Sequence, residues 1–279
     1  MTAVLALIHI PKTAGTTLAG LMRFHYGGAF RGAANALKDP AAAEERLAQI
    51  ARKPKIRATA GHVTVGMVDA ALPDATLVTI LRDPVERTLS HYDFVVDPPA
   101  GRKKPAGSGL LPPGTRPPGS LEEALGSHIP DDLQTRMLCG VVSPYEPLPD
   151  DALDRAKANL DRFAFVGTTE RFDELLTLMN RELGWAPTAY RRARSNERPA
   201  RTDGERQLAT AHNRLDAELH AYAAGLLPEQ DASVVREATR IWNGGDGQRT
   251  LEIDAALDNA RAADAELERR KQRKREKAR

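Results

Sequence analysis

The chain has 279 residues, of which 41% are hydrophobic and 28% charged, a length for one large or two small domains and a composition that excludes wholesale disorder. No apolar run reaches the roughly 20 residues of a membrane span, and the start MTAVLALIHIPK lacks the basic region and small-residue cleavage site of a secretory leader, so a soluble, cytoplasmic protein with no integral membrane segment is expected. The single cysteine, Cys139, excludes an internal disulfide; it has no Cys or His neighbours at ligand spacing, and no metal is expected.

The net charge of +2 is unevenly spread. Arg269 to Arg279 hold eight basic residues and one acidic, or +7, which leaves −5 on the rest of the chain. Phosphate-backbone affinity needs clustered Lys and Arg, so the folded part should not bind nucleic acid.

Apolar runs of strand length lie at Ala3–His9, Ile56–Ala60, Ala75–Leu81 and Phe163–Thr168. They scarcely alternate, as strands covered on both faces of a parallel sheet should not. Helical spacing is predicted at Thr16–Tyr26, Ala41–Arg52, Val85–Val95, Asp131–Cys139, Asp150–Leu160 and Glu170–Leu183, then at Asp203–Leu226 and Glu229–Trp242 in a helical C-terminal third. Strands alternating with helices predict an α/β fold with right-handed crossovers. Between Asp97 and Gly119, 12 of 23 residues are Pro or Gly, which forbids a regular element and leaves either a lid on the substrate side or a disordered insertion. Residues 246–279, charged and poor in apolar side chains, read as a solvated helix or as a tail that orders on contact.

The first chemical motif is His9-Ile10-Pro11-Lys12-Thr13-Ala14-Gly15-Thr16-Thr17-Leu18, between the first strand and the first helix. A helix start aims unpaired N–H groups and a positive dipole end at one spot; threonine hydroxyls add donors and Lys12 a full charge, which together suit an anion. The plain alternative is an ordinary turn capped by Thr16. Pro11 stands where a Walker A loop has the glycine before its lysine, so a triphosphate cradle fits poorly.

The second motif is Leu81-Arg82-Asp83-Pro84-Val85-Glu86-Arg87-Thr88-Leu89-Ser90-His91-Tyr92. Arg82 ends a buried strand, Asp83 can N-cap the next helix, and Pro84 suits its first turn. An arginine fork with the Ser90 hydroxyl can grip a second phosphate. Alternatively the arginine pairs with Asp83 or Glu86 and Ser90 merely packs; Arg87 is expected to have such a structural role.

HIPKTAGTTL followed by LRDPVERTLSHY resembles the paired 5′- and 3′-phosphate motifs of sulfotransferases that use 3′-phosphoadenosine 5′-phosphosulfate (PAPS), nearest the carbohydrate type that includes heparan sulfate 2-O-sulfotransferase. The resemblance continues through Gly61-His62-Val63, Leu133-Gln134-Thr135-Arg136-Met137-Leu138-Cys139-Gly140 and Phe165-Val166-Gly167-Thr168-Thr169-Glu170, about Leu5 to Leu226 in all. It implies a P-loop-NTPase-like parallel sheet flanked by helices, with residues 1–245 as the sulfotransferase domain, 97–119 as an insertion and 246–279 as a tail. By the same resemblance Pro11, Lys12, Thr13, Ala14, Gly15, Thr16 and Thr17 hold the 5′-phosphosulfate end of PAPS, and Arg82 and Ser90 the 3′-phosphate. YRRARSNER aligns loosely with a loop that closes over the nucleotide, which makes Arg191, Arg192 and Arg194 weaker candidates.

Lys12 and His62 are the expected catalytic residues. The resemblance gives His62 the role of general base toward an acceptor alcohol, a task for which the near-neutral pKa of histidine is suited; the alternative is an idle, backbone-bonded imidazole. His9 and His91 are secondary candidates, Glu44 and Glu45 look like solvated charges, and Trp185, Trp242 and Cys139 read as packing residues. The expected reaction moves a sulfuryl group from PAPS to a small-molecule or glycan hydroxyl without metal, releasing 3′-phosphoadenosine 5′-phosphate (PAP). A kinase or nucleotide hydrolase is the competing enzyme class. A non-catalytic interaction protein, its tail docking an acidic partner or membrane surface, is the third reading; beside catalysis the same tail could do that job or pair subunits into a homo-oligomer.

Overall fold

The computed structural model describes residues 3–96, 118–141, 143, 145–186, 200–229 and 235. Its centre is a five-stranded, wholly parallel sheet of β1 Leu5–Ile8, β2 Phe30–Asn35, β3 Ala58–His62, β4 Thr76–Leu81 and β5 Phe165–Thr168, in the order β2-β3-β1-β4-β5. The helices are α1 Gly15–Tyr26, α2 Pro40–Ala51, α3 Val65–Ala71, α4 Pro84–Val96, α5 Leu121–Ala124, α6 Leu133–Cys139, α7 Ala152–Leu160, α8 Phe172–Leu183, α9 Asp203–Ala211 and α10 Arg214–Leu226. The α/β class expected from the sequence is therefore present.

The strand LALI shows why both faces must be covered. Successive side chains point to opposite sides. Leu5 and Leu7 join Leu18, Leu21 and Met22 of α1 and Leu175 and Met179 of α8 in one core. Ala6 and Ile8 join Leu47 and Ile50 of α2, Val68 of α3, Met137 of α6 and Leu219 of α10 in the other. All four residues of β1 are buried, so a charge at any of them would be stranded in apolar surroundings.

Strand order also locates the crevice. From β1 the chain passes to β2 on one side of the sheet, and from β4 it passes to β5 on the other, while β1 and β4 lie side by side. Where neighbouring strands send their connections apart, the space above their carboxyl ends stays open, and ligands of open α/β sheets bind there. The two phosphate-type motifs follow these two strands.

Several boundaries differ from expectation. The edge strand β2, FRGAAN, is half-buried and has no β-branched residue, so it carries no strand signal. It nevertheless packs so closely on β3 that a Cβ on Gly61 would lie 2.6 Å from the Ala33 side chain. Helices α3 and α5 lacked a recognised pattern. The single helix expected over Asp203–Leu226 is two, divided at His212 and Asn213. Asn213 is buried; its amide donates to Thr88 Oγ1 and the Ala209 carbonyl, and its oxygen accepts from Arg87, a use of side-chain polarity that competes with continued helix. His62 is the last residue of β3 rather than a residue beyond it. The expected helix at 229–242 except Glu229 and Val235, the tail 246–279, and all of 97–119 except Pro118 and Gly119 lie outside the described residues, and so do Arg191, Arg192 and Arg194. Among the described residues no helix is long and apolar enough to cross a membrane.

Candidate functional site

The loop from β1 to α1 takes its shape from backbone geometry that only a few contacts hold. Lys12 (φ 73°) and Ala14 (φ 61°) are both left-handed, a conformation that costs a non-glycine residue about 1 kcal/mol or more and collects at functional sites. Ala14 is the N-cap of α1 and supplies no side-chain bond, and Thr16 is exposed within the first turn. The turn capped by Thr16 is therefore excluded. Instead the first-turn N–H groups lack a side-chain cap, the condition that makes a helix start receptive to an anion. Thr13 is buried and donates its hydroxyl to the Ile10 carbonyl, 2.9 Å away. That hydroxyl braces the loop, leaving Thr16, exposed, and Thr17, half-buried, as the next hydroxyls of the motif.

The second motif meets the first directly. Arg82 Nη1 donates to the Lys12 carbonyl at 3.1 Å, and its other terminal nitrogen lies 3.9 Å from Glu86. With its side chain 17% exposed, the guanidinium spans from β4 to the loop beyond β1. Asp83 accepts from the Glu86 N–H at 2.9 Å and so caps α4 as expected. Lys12 Nζ stands 4.8 Å from the centre of the Phe94 ring on that helix, a distance at which the ring face attracts an ammonium. Ser90 lies four residues before Phe94, hence on the same helical face, and is 8% exposed. Lys12 and Arg82 thus meet at the carboxyl ends of β1 and β4, with Ser90 one turn before Phe94 on α4.

Three histidines lie close by. His62 Nδ1 is 2.5 Å from the His9 carbonyl and donates to it, which leaves Nε2 as the nitrogen with a free lone pair. Burial lowers the His62 pKa, and the bond to His9 only partly offsets this, so the imidazole is neutral at neutral pH. The His9 ring lies against that of His62, with centroids 4.3 Å apart. On its other flank it fills the place of a side chain at Gly15, where a Cβ would fall 2.0 Å from His9 Cδ2. His9 is thus the spacer between His62 and the start of α1. His91, buried on α4, has a pKa well below the ordinary value because of burial first and then the charges of Arg87, Lys12 and His62; its Nδ1 has no hydrogen-bond partner.

Behind the crevice lies a buried polar network that sequence reasoning missed. Gln134 of α6, 0% exposed, accepts from the Arg82 N–H and donates to the Arg82 carbonyl, both at 2.9 Å. Asp216 of α10 accepts from the N–H groups of Gln134 and Thr135 and from the Thr135 hydroxyl. Asp132, the left-handed N-cap of α6, accepts from the N–H of Asp216, so the starts of α6 and α10 cap each other. Arg87, expected to have a structural role, lies 4.0 Å from Asp216, both side chains fully buried. Glu86 turns outward to Arg206 at 3.0 Å. The available sign of this network was the polar run of glutamine, threonine and arginine between the leucine and methionine of LQTRML.

The remaining expectations concern packing. Glu44 and Glu45 are exposed. Trp185 is buried with its ring stacked on His25. Burial pushes the Cys139 thiol pKa up, against a nucleophile's need. Among the described residues no group of three or more His, Cys, Asp or Glu is arranged to hold a metal ion.

The open parallel sheet thus carries an uncapped helix start, a lysine and an arginine above adjacent strands, the kind of arrangement that suits an anion. Residues 2–106 match the family model of the Sulfotransferase family, and this supports assigning the chain to that family and its chemistry to sulfuryl transfer in general. The matched segment contains β1 through α4 with Lys12, His62, Arg82 and Ser90; the similar stretches at 133–140 and 165–170 lie beyond it. A search of the curated proteins finds no match.

Proposed function

We propose that the chain transfers a sulfuryl group from PAPS to a hydroxyl of a carbohydrate or glycoside-like acceptor and releases PAP. The observation that carries this reading is the 3.1 Å bond from Arg82 to the Lys12 carbonyl, because it joins the two anion motifs at one crevice, where a donor with phosphates at both ends of its nucleoside can engage both. The uncapped start of α1 is suited to the phosphosulfate end, and the Arg82 fork with Ser90 to the 3′-phosphate. PAPS supplies the activated sulfuryl group.

The work of the protein is then positioning and charge neutralisation, as in phosphoryl transfer. Lys12, with the first-turn N–H groups of α1, stabilises negative charge building on the departing phosphate. His62, neutral and held by its Nδ1–H, takes the acceptor proton at Nε2. Incubation with labelled PAPS and a panel of glycosides should give a labelled sulfate ester and PAP. Thermal shift separates this from the kinase or hydrolase reading: PAP should raise Tm without magnesium, and stabilisation by magnesium–ATP alone would overturn the proposal.

A further inference from the structure

We infer that Gln134 is a positioning residue that fixes the Arg82 fork for the 3′-phosphate, and so sets the preference for a 3′,5′-bisphosphate over a 5′-monophosphate. The inference rests on the donor assignment above. Arg82 sits where β4 ends and α4 has not begun, so its N–H and C=O have neither a strand nor a helix to bond them. One amide side chain meets both groups, at 2.9 Å each. A primary amide carries its acceptor and its donor on separate atoms, and so can accept from an N–H and donate to a C=O of the same residue at once. This fixes the peptide planes on either side of the Arg82 Cα, and with them the direction in which the guanidinium leaves the chain. Gln134 is itself held from behind, by Asp216 on its own N–H. Its side chain touches the arginine's main chain, so it acts on the phosphate only through Arg82.

The test compares the affinities of PAP and adenosine 5′-monophosphate, which differ only in the 3′-phosphate. Gln134→Met keeps the length of the side chain and removes both bonds. It should lower the PAP-over-monophosphate ratio about tenfold or more, the scale of a misplaced binding group, and leave monophosphate affinity within about twofold, as a residue outside that subsite should. Thr135→Val deletes the neighbouring hydroxyl bond to Asp216 without touching Arg82, and the ratio should survive it. Added to Arg82→Ala, Gln134→Met should lower the ratio no further. If Gln134→Met does not fold, Gln134→Glu keeps the acceptor for the Arg82 N–H, sets a carboxylate against the Arg82 carbonyl, and should lower the ratio in the same direction. An unchanged ratio in the folded Gln134 variant overturns the inference, as does an equal fall in Thr135→Val. A wild-type protein that does not distinguish the two nucleotides overturns the donor assignment itself.

Discussion

Lys12 rests on the Phe94 ring beside the proposed anion site. An ammonium on an aromatic face gains about 0.5–2 kcal/mol, less than a desolvated contact with a phosphate oxygen offers, so a bound donor should draw it off the ring. Lys12→Ala should then cost about 100-fold or more in kcat, as loss of one charge-stabilising group commonly does; a variant that loses only nucleotide affinity would contradict that role. Arg82→Ala should weaken PAP binding by about 2–5 kcal/mol, the scale for truncating one partner of a desolvated charge contact, as measured by titration calorimetry. For His62 the sign follows from burial: the lowered pKa places the acid limb of kcat/KM below the ordinary histidine range, with activity retained above it. His62→Ala should abolish that limb, and an unaltered profile would clear the residue of the base role.

At the scale of elements, the start of α1 depends on a missing side chain. Gly15 has no Cβ to meet the His9 ring, and an alanine there would place one 2.0 Å from His9 Cδ2. Because His9 lies against His62, Gly15→Ala should displace the base as well as the loop and reduce kcat more than PAP affinity, a split that steady-state kinetics and nucleotide titration would expose. The two motifs and their placement after buried strands were legible in the sequence, since LALI and TLVTIL bury both faces and Asp83-Pro84 announces a helix. The glycine after the lysine was visible too, but not its reason, which is a contact with a ring six residues earlier. Other features were illegible for definite causes. FRGAAN forms a strand because β3 offers an edge, not by propensity. The pairing of Gln134 with Arg82 joins residues 52 apart in sequence, and periodicity cannot report a contact made across helices.

The whole molecule is fastened by charges it keeps from water. Arg87 and Asp216 are fully buried, and removing one member of such a pair strands the other, at about 3–5 kcal/mol. Asp216→Ala, which also uncaps α6, should therefore unfold the chain or lower its Tm by many degrees, as seen by calorimetry. Acid acts in two opposed ways. His91 resists protonation in the folded state, so as pH falls below the ordinary 6.5 the unfolded chain takes up the proton that the folded one refuses, and stability declines. Asp132, pushed up to about 6 by burial and by Asp216, is the reverse case. Its folded form binds a proton that the unfolded form releases down to the ordinary 3.8, so it costs stability at neutral pH and ceases to do so on acidification. Asp132→Asn keeps the acceptor for the Asp216 N–H and tolerates left-handed geometry. It should raise Tm at neutral pH, with the gain vanishing by about pH 4; a uniform gain at every pH would point to backbone relief instead.

The mutual capping of α6 and α10 has a consequence for dissecting the chain. Residues 2–106 contain every side chain assigned to the chemistry, yet not α6, whose glutamine grips the main chain of Arg82, nor β5, which closes the flank of β4, nor α10, which anchors α6. Cut at that border, the segment would have its reactive groups and no scaffold to aim them, with a raw sheet edge inviting self-association. The smallest autonomous unit should therefore extend through Leu226, and the proposed catalytic apparatus should not work as a portable cassette.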